Sequence, residues 1–228
     1  MSTVSDWSRS IRTLTFDCYG TLIDWSAGLR QSFLSIFGDD FLRHEREFFD
    51  VYVEEEARLE SGAYQMYRRI LAACVDRLAR RFDLTIRPGK ADELANSLSE
   101  WRPFADTNEA LARLKRRFRL GVLSNIDRDL FAGTARHLGV QFDFLITAED
   151  VQSYKPGLAH FGRMLTTEGP PSQVLHVAQS LYHDGGPAGQ LGLAFAWINR
   201  YKQSNDTQIR PAIETPDLKS LADALGVE

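Results

Sequence analysis

The sequence predicts an α/β protein in which a doubly wound, mostly parallel sheet carries an inserted block of helices. Three observations predict it. Short β-prone runs alternate with amphipathic helical segments from residue 103 onward. One further β-prone run stands alone near the start of the chain. Between that run and the rest lies a long stretch of helical periodicity with no convincing strand.

The isolated run is Thr13-Leu14-Thr15-Phe16, which ends at Asp17 and meets the turn residues Gly20-Thr21. From Trp25 to about Trp101 the pattern is helical. Tyr64, Tyr67, Ile70, Leu71, Cys74 and Leu78 recur at steps of three and four, marking one buried helix face. Gly38-Asp39-Asp40, Ser61-Gly62 and Arg87-Pro88-Gly89 divide this stretch into four helices. After Pro103, the spacing of Ala110, Leu111, Leu114 and Phe118 predicts a helix, and Leu120-Gly121-Val122-Leu123 a strand ending at Ser124-Asn125. A helix over 130–138, a strand over 142–146 and a helix over 158–165 follow. Val174-Leu175-His176-Val177 reads as a strand, a helix begins near Asp184, and Ala194–Ile198 is the last clear strand. Leu218, Leu221 and Leu225 mark a closing helix. Such alternation implies right-handed crossovers, and ligands of parallel sheets gather outside the carboxyl ends of the strands. Asp17, Ser124-Asn125, Lys155 and the segment from Gln179 to Asp184 stand at such ends. The expected organisation is a core of residues 1–24 and 103–228, with residues 25–102 covering the edge at the first strand as a cap.

The chain has 228 residues, 27 basic and 31 acidic, and a formal charge of −4. At 43% hydrophobic and 25% charged, it suits a compact domain with an insertion and excludes a disordered chain or a coiled-coil rod. Without a basic excess, no nucleic-acid partner is expected. Cys18 and Cys74 are too few for a disulfide framework and lack zinc-ligand spacing; both are expected reduced, inside a cytoplasmic protein. The polar first twelve residues do not read as a signal peptide. No apolar run approaches the roughly 18 residues of a membrane span, so no membrane association is expected.

The string Phe16-Asp17-Cys18-Tyr19-Gly20-Thr21-Leu22-Ile23-Asp24 resembles the first motif of the haloacid dehalogenase (HAD) superfamily, whose leading aspartate is a nucleophile. Ser124-Asn125, Lys155-Pro156 and an acidic segment ending at Asp184 follow in that superfamily's order, so the resemblance covers roughly residues 11 to 200. It implies a Rossmann-like core, a cap inserted between the first and second motifs, and Asp17 as nucleophile. Phosphatases of this pattern carry a second aspartate two residues after the nucleophile and an acidic Mg²⁺ ligand in the last motif. This chain has Tyr19 at the first place and Val177-Ala178-Gln179-Ser180 at the second, which leaves phosphoryl charge without its usual neutralisation.

The same substitutions resemble the type II (S)-2-haloacid dehalogenases. That likeness implies no cofactor and no metal. In these enzymes the aspartate attacks C2 of a 2-haloalkanoate, expels halide, and water hydrolyses the aspartyl ester. By this resemblance Asp17, Thr21, Lys155 and Asp184 are catalytic, while Ser124, Asn125, Tyr19, Trp25 and Gln179 face a small carboxylate substrate. Simpler roles stand beside these. Lys155 and Asp17 also suit a structural ion pair, Ser124-Asn125 a helix N-cap, Asp184 a helix start, and Trp25 packing under the cap. His183, next to Asp184, suits either a proton shuttle or no role. Similar proteins are commonly homodimers.

Three positions depart from that pattern. The expected halide-binding cap arginine is missing: Arg43 and Arg46 are near, but Phe48 and Phe49 stand closest to its place. Phe161 replaces a tyrosine six residues after Lys155, and Gln179-Ser180-Leu181 replaces a Ser-x-Asn. These departures suit a changed leaving group, as in a relative that opens azetidine-2-carboxylate and expels an amine. Glu54-Glu55-Glu56, Trp25, Tyr64 and Tyr67 are available to such a substrate, although the Glu run also reads as solvated surface and the aromatics as core. The alternatives are a Mg²⁺ phosphatase and a non-catalytic binding protein.

Overall fold

The computed structural model describes residues 7–227, so residues 1–6 and 228 of the expected core lie outside the described residues. Among these residues six strands form one sheet: β1 (Thr13–Phe16), β2 (Arg119–Ser124), β3 (Phe144–Thr147), β4 (Val174–Ala178), β5 (Ala194–Ile198) and β6 (Ile213–Thr215). Their order is β3-β2-β1-β4-β5-β6, and every neighbouring pair is parallel. The helices are α1 (Trp7–Ser10), α2 (Trp25–Phe37), α3 (Glu45–Glu60), α4 (Tyr67–Arg81), α5 (Glu93–Ser97), α6 (Thr107–Lys115), α7 (Arg128–Ala135), α8 (Ala148–Val151), α9 (Ala159–Glu168), α10 (Gly186–Gln190) and α11 (Leu218–Ala224). None is long and apolar enough to cross a membrane.

Side chains of a strand alternate between faces, and helices cover both faces of a parallel sheet. Leu14, Phe16, Val122, Leu175, Val177 and Ile198 therefore enter one core, and Leu123, Val174, Ala178, Phe195 and Trp197 the other. Gly121 lets β2 receive the Phe144 ring, because a Cβ there would lie 2.1 Å from it. The strand order runs outward in one direction from β1 to β3 and in the other from β4 to β6. Loops leaving β1 and β4 consequently diverge, and this switch point opens a crevice at their carboxyl ends.

The sheet is wholly parallel rather than mostly so, and β6 was not legible. Ile213-Glu214-Thr215 is too short to show a period and pairs only with β5. The strand expected at 142–146 begins two residues later. The segment at Asp184 is a π-helical turn, Leu181–Gly185, that runs into α10. Residues 25–101 are helical as expected, with 3-10 turns at Gly38–Arg43 and Leu98–Glu100. They do not cover a sheet edge: β1 is interior, between β2 and β4. Their own core is aromatic, with Phe33 and Phe48 in edge-to-face contact at 4.8 Å and Phe37, Phe41 and Tyr52 packed around them.

Two joints show how these helices are held over the sheet. Asp24 N–H donates to Arg102 O at 2.9 Å, and Gly28 of α2 lies against Trp101, whose ring would be 2.2 Å from a Cβ. The second joint is Asp127. It stands at the N-cap of α7 but makes no side-chain bond to that helix. Its fully buried carboxylate instead accepts from the N–H groups of Tyr67 (2.7 Å) and Arg68 (3.0 Å), the free donors at the start of α4. Asp127→Ala is expected to lower unfolding free energy by about 1–3 kcal/mol in urea denaturation, because it leaves a buried and a partly buried donor unpaired. Asp127→Asn, which keeps one acceptor, should lose less.

Candidate active site

Asp17 follows β1 directly, and its N–H donates to Val177 O at 3.1 Å, extending the ladder one residue. The chain then turns back through Cys18 O, which accepts from Leu22 and Ile23 N–H. Gly20 takes φ of 91° in this turn, a region that favours glycine. The turn sets Thr21 Oγ1 to donate to Asp17 Oδ2 at 2.8 Å while accepting from Gln179 N–H at 3.0 Å. The loops after β1 and β4 are thereby joined behind the carboxylate.

Lys155, in the loop between α8 and α9, is 2% exposed and uses all three ammonium protons. They go to Asp17 Oδ1 (2.9 Å), Asp184 Oδ1 (2.7 Å) and Leu123 O (2.9 Å). Burial alone would depress this ammonium. Attraction to Asp17 and Asp184, with the hydrogen bonds to both, outweighs burial and holds its pKa above the ordinary lysine value. Asp184 is the converse case. Burial would raise its carboxyl, but the Lys155 charge and the His176 hydrogen bond hold it well below the carboxylate range. Asp184 Oδ1 accepts from His176 Nε2 at 2.8 Å, while Oδ2 is buried without a partner.

The Ser124-Asn125 pair caps no helix. Asn125 Oδ1 accepts from Lys155 N–H at 2.7 Å and its Nδ2 donates to Lys155 O at 3.0 Å, so this amide clamps the lysine's main chain. Ser124 is 1% exposed and its carbonyl accepts from Ile126 N–H. Tyr19 packs edge-on against Trp101, and its hydroxyl pairs with Thr134 Oγ1 at 2.7 Å. Gln179 Nε2 donates to Gln203 Oε1 at 3.0 Å. Trp25 both packs on Phe49 and Tyr52 and faces the crevice, which unites its two readings.

The crevice is a cavity of about 480 Å³. Asp17, Tyr19, Trp25, Ser124, Asn125, Lys155, Gln179 and Asp184 all line it, whereas Thr21 stands behind Asp17. A second cavity of about 350 Å³ adjoins it and shares Glu60, Lys155 and His183. His183 has Nε2 4.0 Å from Glu60 Oε2, and burial lowers its pKa. Lys155 and His183 are the described lining residues able to carry positive charge. Arg43 and Arg46 are exposed and line neither cavity. Phe48 is buried among Phe33, Phe37 and Phe41, and Phe161 packs on the His176 ring. Cys18 and Cys74 are buried free thiols, each pushed up by burial.

The Glu54-Glu55-Glu56 run divides by face. Glu54 is exposed, Glu55 pairs with Arg58 and Arg77, and Glu56 turns inward. Glu56 Oε1 accepts from the hydroxyls of Tyr52 and Tyr67, each at 2.6 Å. Glu60, one turn on, also lines the cavity and was missed from sequence, as were Tyr201 and Gln203 beyond β5. Tyr67 faces this cavity, while Tyr64 stacks on Tyr154 at the second one. Burial and the neighbouring Glu56 raise the Glu60 carboxyl well above its ordinary value. A raised carboxyl makes the folded state bind the proton more tightly, so stability falls as pH rises through the unfolded and then the folded pKa. Glu60→Gln is therefore expected to raise the melting temperature at pH 8 relative to the parent. That gain should vanish below about pH 4 in thermal scans.

The chain matches the family model described as haloacid dehalogenase-like hydrolase over residues 11–184. It is 26% identical over 206 residues to an (S)-2-haloacid dehalogenase of Pseudomonas fluorescens, covering 87% of this chain and 88% of that protein. The structure superposes on a dehalogenase solved with an intermediate complex at a TM-score of 0.84, with 20% identity and coverage of 96% and 99%. It also superposes on the L-2-haloacid dehalogenase of Xanthobacter autotrophicus with chloropropionic acid covalently bound, at a TM-score of 0.81 and 17% identity, covering 95% and 98%.

Proposed function

The chain belongs to the haloacid dehalogenase-like hydrolase family, and from that premise we propose that it hydrolyses a small carboxylic acid bearing a leaving group at C2, by default an (S)-2-haloacid. The observation that carries this is Asp17 at the floor of the cavity with one oxygen held by Lys155 and the other by Thr21. A carboxylate oxygen attacks C2, the C–X electron pair leaves with X, and an aspartyl ester forms. Water then adds to the Asp17 acyl carbon. Whichever of Lys155 and Thr21 holds the oxygen that did not attack donates to it as it gains charge, and collapse releases the 2-hydroxy acid with Asp17 restored. Asp184 lines the cavity beside Asp17 and is the carboxylate that takes a proton from that water and returns it to the departing alkoxide. The Lys155 ammonium already bridges Asp17 and Asp184, so the proposal requires no metal. Residues 1–24 and 103–228 act in it as core and 25–102 as cap. A cytoplasmic location, suited to two free thiols, and a homodimeric state belong to the same proposal.

One observation favours a second leaving group. Glu56 and Glu60 stand in the cavity, and among the described residues no arginine lines it to receive halide. A protonated amine, as released by ring opening of azetidine-2-carboxylate, suits that wall better than halide does. The test is a panel with chelator present: (S)- and (R)-2-chloropropionate, haloacetates, azetidine-2-carboxylate and an aryl phosphate. Metal-free turnover of a 2-substituted acid is expected, and the identity of the substrate decides between the two leaving groups. Turnover confined to the aryl phosphate and dependent on added Mg²⁺ would overturn the proposal. Binding of the acids without turnover of any would mark a binding protein.

A further inference from the structure

A fully buried histidine continues the Lys155–Asp184 pair into the sheet. His176 lies in β4, directly opposite Thr15 of β1 in the parallel register. Its Nδ1 meets Thr15 Oγ1 at 2.8 Å and its Nε2 meets Asp184 Oδ1 at 2.8 Å. Phe161 and Phe195 pack on the ring, at centroid distances of 4.9 and 6.3 Å. The Asp184 carboxylate accepts, so Nε2 carries a proton and donates to it, while Nδ1 and the Thr15 hydroxyl form the second hydrogen bond. The ionisable groups facing this chain include Lys155 and Asp17 from their loops, His183 beside Asp184, and His160 of α9, whose pKa burial pushes down to about 3.

We infer that His176 is a positioning residue for the reaction, acting through Asp184 and Lys155 on the nucleophile and anchored by Thr15. The inference rests on the proposed role of Asp17. Its geometric content is specific. Asp184 Oδ1 receives both the imidazole and the ammonium, while Oδ2 has no partner. The carboxylate therefore cannot rotate without breaking both bonds. Removing the imidazole donor frees that rotation. Lys155 then follows Asp184, and the ammonium no longer sits squarely on Asp17 Oδ1. A displacement of this kind, on the order of an ångström, costs about 10²-fold in rate where reacting groups must be aligned.

The test uses three variants of the full chain and whichever member of the metal-free panel is turned over. His176→Phe fills the aromatic site without a donor, His176→Gln keeps an amide donor toward Asp184, and Thr15→Val removes the anchor isosterically. Expected are a fall in kcat of roughly 10- to 100-fold for His176→Phe with KM within about 3-fold, and recovery to within about 3-fold of the parent in His176→Gln. Thr15→Val should show an intermediate loss. A His176→Gln variant as slow as His176→Phe, or a loss confined to KM, would overturn the inference. So would His176→Phe at parental rate. Should the parent turn over none of the panel, the Asp17 reading fails instead, and the ¹⁵N imidazole spectrum decides the positioning claim separately. A ring protonated at Nε2 is expected, its signal shifted by Asp184→Asn; a ring unaffected by that substitution would contradict it.

Discussion

Asp17→Asn is expected to lower turnover of any accepted substrate by at least about 10⁴-fold, the scale on which loss of a covalent nucleophile is felt. The substitution is isosteric and changes one oxygen to an amide that does not attack carbon. The fold should survive it, because Asp17 is held by its backbone bond to Val177 and the Lys155 ammonium keeps Asp184 and Leu123 O as acceptors. Steady-state rates with a melting curve alongside check both halves. A residual rate within tenfold of the parent would remove the carboxylate from the chemistry.

Lys155→Met is expected to cost both activity and stability. Removing a buried ammonium leaves Asp17 and Asp184 without their shared cation, and breaking a buried ion pair from one side costs about 3–5 kcal/mol. The pH dependence has a definite sign. The lysine pKa is raised, so its contribution is complete below the ordinary lysine pKa and is lost only as strongly alkaline pH passes the folded value. The Asp184 pKa is depressed, so that contribution is present above about pH 4 and is lost as pH falls through the folded value. The stability gap between parent and variant should be widest from about pH 5 to 9 and should narrow in acid, because Asp184 in the variant escapes the lost pairing by taking up a proton. Urea denaturation at pH 7 and below pH 4 measures it. A gap that widens in acid would contradict the pairing.

Much of the architecture is visible in the chain itself, because β1 to β5 are apolar runs bounded by turn residues and separated by helices of the usual period. Residue 17 and its partners were visible for a different reason: their residue types and order resemble one family. What sequence did not show depends on which groups meet. Asn125 clamps Lys155 across a loop whose path no local pattern encodes, and Asp127 caps a helix sixty residues earlier instead of its own. Glu56 and Glu60 did leave a trace. They continue, at steps of four, the buried stripe begun by Phe48 and Tyr52, so the solvated reading of the Glu run failed at its last residue. His176 left one too: a lone polar ring in a strand otherwise buried and apolar must find partners. That its partners are Thr15 and Asp184 follows only from the strand register and the turn after β4.

The most direct test of the central claim is a single turnover in H₂¹⁸O, followed by mass analysis of the peptide containing Asp17. If water opens an aspartyl ester at the acyl carbon, one ¹⁸O enters the Asp17 carboxylate and the first product molecule carries unlabelled oxygen from the protein. Label in the product with none in Asp17 would mean that water, and not residue 17, attacks the substrate.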